Sequence, residues 1–174
     1  TDWFGLLYQN SFSQNHSISA SGGSDKLTFY TSVGYNNRKG SSIGNSADVY
    51  NFNLNLNANV SKRLKLGFRV GGNVGQTNGF YQFDPFRYAY NTSRAIPAYN
   101  EDGSLFRYKK SSDLASFNIL SERDNTGNKN KTYNFSPTFN LDYKIMDNLS
   151  FESVAGLTYS QTNGESYAAA QSYY

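Results

Sequence analysis

Tyr50-Asn51-Phe52-Asn53-Leu54-Asn55-Leu56-Asn57-Ala58-Asn59-Val60 is the stretch that decides the fold. Every even position is apolar or aromatic, and every odd position is Asn. A helix would smear those amides around its whole circumference. A strand points successive side chains to opposite faces. Tyr50, Phe52, Leu54, Leu56, Ala58 and Val60 therefore share one face, and Asn51, Asn53, Asn55, Asn57 and Asn59 the other.

The same pattern continues outward. After Ser61-Lys62-Arg63, an apolar set of Leu64, Leu66, Phe68, Val70, Gly72 and Val74 alternates with Lys65, Gly67, Arg69, Gly71 and Asn73. Two alternating runs joined by so short a connection predict a hairpin. Further on, Tyr133, Phe135, Phe139, Leu141, Tyr143 and Ile145 alternate with Asn134, Ser136, Thr138, Asn140, Asp142 and Lys144. Met146-Asp147-Asn148 turns the chain, and Leu149, Phe151, Ala155, Leu157 and Tyr159 return. Pro137 lacks an N–H, which predicts a bulge or bend there. A weaker pair precedes these, from Phe12 to Ser21 and then Leu27, Phe29, Thr31, Val33 and Tyr35, around Gly22-Gly23-Ser24-Asp25. The chain is thus all-β, with about six antiparallel up-and-down strands.

Connection lengths separate two architectures. The turns at 22–25, 61–63 and 146–148 are short, while the loops at about 36–47 and about 77–130 are long. Outer-membrane barrels alternate tight periplasmic turns with long extracellular loops. In that orientation Tyr35, Tyr50, Tyr133 and Tyr159 gather at the outer strand ends as an aromatic girdle, and Tyr143 alone stands near the inner ends. Tyr50, Phe52, Leu54, Leu56, Leu66, Phe68, Leu141 and Leu157 are then expected to face lipid. Asn51, Asn53, Asn55, Asn57, Arg69 and Asn140 are expected to face the lumen. The rival is a soluble β-sandwich, a glycan-binding adhesin in which the same apolar residues fill a core between two sheets.

Composition narrows the classes. Hydrophobic residues make up 37% of the chain, yet 15 Tyr and 13 Phe exclude the aromatic-poor composition of disorder. A net charge of +3, with the basic residues scattered, gives no nucleic-acid footprint. With no Cys and one His, neither a thiolate metal site nor a catalytic triad has its residues, and no cofactor or enzyme activity is expected. No window approaches the ~18 apolar residues of a membrane helix, a test that barrel strands escape. About six strands cannot close a barrel, which needs at least about eight. The absence of an initiator Met favours a piece of a longer chain over several copies completing one barrel.

The residues also carry a family resemblance. Phe12-Ser13-Gln14-Asn15-His16-Ser17-Ile18-Ser19, then Ser21-Gly22-Gly23-Ser24, Tyr30, Gly34-Tyr35 and Gly40, resemble a barrel segment of SusC/RagA-type transporters. Tyr50 to Asn55 and Leu64-Lys65-Leu66-Gly67 resemble that family's next hairpin. Asp84-Pro85-Phe86-Arg87-Tyr88-Ala89 and Ile96-Pro97-Ala98-Tyr99-Asn100-Glu101-Asp102-Gly103 resemble the following extracellular loop. The resemblance implies a plugged transmembrane β-barrel of the 22-strand class, with outer-membrane lipid around it. It also implies a SusD-like lipoprotein lid, glycan or peptide substrates, and import driven by a TonB complex acting on the plug. Neither the plug nor a TonB-contacting segment is recognisable within residues 1–174.

The long loop holds the candidate contacts. Tyr81, Phe83, Phe86, Arg87, Tyr88, Tyr90, Arg94 and Tyr99 combine aromatic faces with guanidinium groups, which stack on sugars or grip a lid. Each taken singly is also suited to packing the loop on itself. Asp84-Pro85 predicts a helix start with Asp84 as N-cap. Asn100-Glu101-Asp102-Gly103 predicts a β-turn rather than a calcium loop. Glu101, Asp102, Asp113, Glu122 and Asp124 share the loop, but nothing in their spacing sets two carboxylates at a glycosidase distance.

Overall fold

The structure, a computed structural model, describes residues 1–80, 82–107 and 117–173. Tyr81 and residues 108–116 lie outside the described set, and so do Tyr108 and Asp113 of the loop.

Seven strands form one antiparallel sheet: β1 (Ser13–Gly23), β2 (Leu27–Lys39), β3 (Ser46–Asn59), β4 (Leu64–Gly79), β5 (Thr126–Met146), β6 (Leu149–Gly156) and β7 (Tyr159–Ala168). Neighbours in sequence are neighbours in the sheet, except that β6 and β7 both pair with β5. They lie end to end in the same register, Thr138 facing Gly156 and Phe135 facing Tyr159, and so make one row. Pro137 explains the gap. The Leu157 N–H donates to the Pro137 carbonyl at 3.0 Å, but Pro137 has no N–H to return. The expected bulge at Pro137 is absent, since the pairing with β4 runs through Val70–Pro137 without a slip. The register shifts instead between Lys144 and Met146, beside the tight turn.

The strands run further than the apolar alternation. Tyr35 faces Tyr50, Tyr50 faces Val74, Val74 faces Tyr133, and Tyr133 faces Gln161. This row is not at the strand ends, because β2 continues to Lys39 and β5 begins at Thr126. Tyr159 stands one row inside it, opposite Phe135. Beyond the tyrosines the same face carries Asn37, Asp48, Gln76, Lys131 and Asn163, which pair in register. The backbone ladder needs no apolar side chains, so pairing persists where the pattern stops.

No second sheet covers the apolar face among the described residues. Ile18, Leu157 and Val33 are 75%, 64% and 55% exposed, and among the described residues only Val70, between Leu54 and Pro137, is buried on it. A sandwich requires those side chains to interdigitate with another sheet. Glycines let aromatic rings lie flat across this face instead. A Cβ at Gly72 would sit 2.6 Å from the Phe52 ring, and one at Gly22 3.1 Å from Phe29.

The apolar core lies outside the sheet. Three short helices, α1 (Trp3–Leu7), α2 (Pro85–Asn91) and α3 (Ile119–Asn125), bury Trp3, Leu7, Ala89, Ile96, Ala98, Ile119 and Leu120 together. This cap stands at the end of the sheet where β1 begins and where β2 to β3 and β4 to β5 connect. Ile43 donates to the Leu7 carbonyl at 3.0 Å, and Gln9 to the Ser41 carbonyl at 2.7 Å.

Candidate functional site

Two surfaces carry chemistry: the polar face of the sheet and the outer side of the cap. On the polar face, Asn51 faces Asn73, Asn73 faces Asn134, and Asn134 faces Ser160. The Asn134 amide donates to Asn73 Oδ1 at 3.0 Å, and Ser160 Oγ donates to Asn134 Oδ1 at 2.7 Å. The next row sets Asn53 between Ser32 and Gly71, with the Asn53 amide 3.3 Å from Ser32 Oγ. Beyond it Arg69 lies between Asn55 and Thr138, and then Gly67 between Asn57 and Asn140. The glycines make room for the amides. A Cβ at Gly71 would stand 3.0 Å from Asn53 Oδ1, and one at Gly67 3.3 Å from Asn140 Nδ2. Arg69 is exposed and makes no ion pair among the described residues. The surface offers amide donors and acceptors, the guanidinium groups of Arg38 and Arg69, and the charged row Lys65–Asp142–Glu152.

The cap divides the loop residues in two. Asp84 caps α2 as its sequence predicts, accepting from the Phe86 and Arg87 N–H groups at 2.9 and 3.3 Å. That helix turns Tyr88 inward. Its ring lies edge-on to Trp3 at 5.2 Å, and its hydroxyl donates to the Phe117 carbonyl at 2.8 Å. Phe83 packs on Phe117 at 4.7 Å. Phe83 and Tyr88 therefore hold the cap together. Phe86, Arg87, Tyr90, Arg94 and Tyr99 face outward and are exposed.

The outward side includes residues that the loop alone does not reveal. Tyr8, Phe4, Phe86 and Tyr90 make a continuous row of rings, with successive centroids 5.9, 6.0 and 6.4 Å apart. Phe4 and Tyr8 come from the first residues of the chain, and the four-residue spacing shared by Phe4/Tyr8 and Phe86/Tyr90 is the signal that marks them. Beside the row, a hollow of about 490 Å³ opens between α1 and residues 97–99, lined by Asp2, Gly5, Leu6, Pro97 and Tyr99.

Among the described residues the acidic side chains do not converge. Asp102 accepts from the Ser104 N–H and hydroxyl at 2.9 and 2.6 Å, and these bonds hold its carboxyl below the usual range. They close the turn at Asn100–Gly103, where Gly103 takes φ +82°. Asp124 forms a two-pronged pair with Arg123 at 2.7 and 3.0 Å. Glu122 is buried; desolvation pushes its carboxyl up, against a single 3.0 Å hydrogen bond from the Tyr173 N–H. Its second oxygen has no partner among the described residues. His16 is an exposed residue of β1, 3.3 Å from the Gln14 side chain.

An uncovered antiparallel sheet with one apolar face, a tyrosine row and a polar opposite face is a wall segment of a large transmembrane β-barrel. No protein-family model matches the chain. It is 32% identical over 143 residues to TonB-dependent receptor P26 of Formosa agariphila, covering 82% of this chain and 14% of that protein. It is 26% identical over 171 residues to TonB-dependent receptor P3 of the same organism, covering 93% of this chain and 17% of the relative. The chain thus spans under a fifth of the relatives it matches. Among solved structures it superposes on the RagAB peptide transporter with a TM-score of 0.78 at 18% identity, over 95% of this chain and 19% of that one. The RagAB peptide importer in the open-open state gives 0.78 at 19% identity, with the same coverage. By sequence the chain is similar to a stretch of TonB-dependent receptors, and it shares the fold of a stretch of the RagAB structures.

Proposed function

We propose that this chain forms part of the barrel wall of an outer-membrane importer of glycans or oligopeptides, working with a SusD-type lipoprotein and energised by TonB through a plug. The apolar face, with Tyr50, Phe52, Leu54, Leu56, Leu66, Phe68, Leu141 and Leu157, faces lipid. The polar face, with Asn51, Asn53, Asn55, Asn57, Arg69 and Asn140, lines the lumen or meets the plug. The cap lies outside the cell, and Phe86, Arg87, Tyr90, Arg94 and Tyr99 meet the lid or the substrate.

The height of the apolar band carries this reading. Leu64 and Val74 lie on one strand at its inner and outer margins. Ten steps of ~3.3 Å make about 33 Å along the strand, which a tilt of about 40° projects to about 25 Å. That is the lipid-facing height of an outer-membrane barrel. A tyrosine row at the upper margin, polar side chains above it and no covering sheet all follow from a bilayer on that side. The names of the TonB-dependent relatives supply the transport class.

The test is heat-modifiability with intact mass, on protein extracted from native outer membranes. A species far above 19.5 kDa that migrates differently before and after boiling is expected. A water-soluble species at 19.5 kDa without that shift refutes the reading.

A further inference from the structure

We propose that Lys129 and Lys131 on β5, with Gln76 and Asn163 beside them, hold the phosphate of an outer-leaflet lipid headgroup. The inference rests on the lipid-facing assignment of the apolar face and adds a specific ligand to it. Register puts both lysines on that face, since Lys131 and Lys129 follow Tyr133 and Phe135 at two-residue steps along one strand. Lys131 lies between Gln76 and Asn163, and Lys129 between Asn78 and Glu165.

Their height fits the ligand. Two strand steps above the tyrosine row place Lys131 about 5 Å beyond the apolar band, and four place Lys129 about 10 Å beyond it, at ~3.3 Å per residue and a tilt of about 40°. The headgroup layer adds roughly 5–7 Å to each side of the hydrocarbon. Both ammonium groups, on flexible four-carbon stems, therefore reach lipid phosphates.

The surroundings favour an anion. Neither lysine has an ion pair among the described residues, although Glu165 faces Lys129 across the ladder. Asp48, the other acid on this face, is occupied by the Tyr35 hydroxyl at 2.8 Å and the Asn37 amide at 2.7 Å. Around the lysines the Gln76 amide donates to Asn78 at 3.3 Å, and the Gln161 amide to Asn163 at 2.9 Å. Each such amide has a second proton to offer. Lysines often guard a bare sheet edge, but β5 is paired on both sides, so edge protection does not account for these.

The experiment uses the full-length transporter in mild detergent, with bisphosphorylated lipid A and a phosphate-free lipid of the same acyl chains as probes, read by native mass spectrometry. A lysine near an anionic surface is worth about fivefold in association, so the Lys129→Gln/Lys131→Gln variant is expected to bind lipid A about 30-fold more weakly. It should bind the phosphate-free lipid as the parent does, and Lys129→Arg/Lys131→Arg should retain lipid A. Equal lipid A affinity in parent and Gln variant overturns the proposal, as does a parent that does not distinguish the two lipids. Heat-modifiability of the same samples separates the failures. If it is kept, the barrel reading stands and the phosphate site alone falls; if the parent lacks it, both fall.

Discussion

Leu54 and Asn53 are adjacent in sequence and at one depth in the sheet, but on opposite faces, so one substitution at each isolates what the faces meet. Leu54 lies four residues from Tyr50 and four from Ala58, in the row Thr31–Leu54–Val70–Pro137. Four steps project to about 10 Å below the tyrosine row, close to the middle of a 25 Å band. Arginine on the lipid face of a barrel costs about 2–4 kcal/mol at the midplane and falls to about 0–1 kcal/mol near the interface. Leu54→Arg should therefore destabilise by about 2–4 kcal/mol. Asn53→Arg, among Ser32 and Gly71 on the wet face, should cost under about 1 kcal/mol. Tyr50→Arg, on the lipid face at the upper margin, should fall between them. The measurement is the urea midpoint of the heat-modifiable band of full-length protein in vesicles. An Asn53→Arg cost equal to or above that of Leu54→Arg would refute the face assignment, whatever the absolute values.

Three further outcomes are expected. Gly72→Ala puts a methyl 2.6 Å from the Phe52 ring and 2.6 Å from the Asn134 carbonyl, a backbone atom fixed by the ladder, so it should cost about 1–3 kcal/mol in the same assay. Gly34→Ala, whose nearest atom is the His16 carbonyl at 3.6 Å, is the control and should be near neutral. Burial raises the Glu122 carboxyl above its ordinary value of 4.5, so the folded cap binds its proton more tightly than the unfolded chain does. Cap stability is then greatest below 4.5 and declines as pH rises from there through the raised folded value. Glu122→Gln should remove that decline in hydrogen exchange of the α3 amides, and an unchanged pH slope would sink the assignment. Phe86→Ala/Tyr90→Ala removes exposed rings, so barrel stability should move by less than about 0.5 kcal/mol. Capture of the proposed lipoprotein lid should fall at least about tenfold; unchanged capture would reassign the row.

What the sequence made legible was the part governed by alternation. Tyr50 to Val60 and its neighbours gave strand, face and hairpin, because a sheet with one apolar and one polar face imposes period two on the side chains. Above the tyrosines both faces carry polar residues, so Asn36 to Lys39 and Thr126 to Asn130 show no alternation and read as loop, although their backbones stay paired. Pro137 misled for a different reason. Its missing donor costs one bond to Leu157 but does not displace the register. In the cap, Asp84-Pro85 announced α2 through local capping chemistry, while the inward turn of Tyr88 and the joining of Phe4 to Phe86 depend on contacts far apart in sequence. α3 is a seven-residue helix set by tertiary burial of Ile119 and Leu120, without a periodic pattern long enough to show.

The paired strands that rise past the tyrosines act as a stilt. From Tyr133 back to Thr126 is seven residues, about 18 Å of height at the same tilt, and α3 is seated directly on Thr126. A run of four contacting rings at the bilayer surface would partition into the interface, as aromatic side chains do. In the proposed orientation this stiff ladder raises the row of Tyr8, Phe4, Phe86 and Tyr90 clear of the headgroups, so that the membrane does not compete for it.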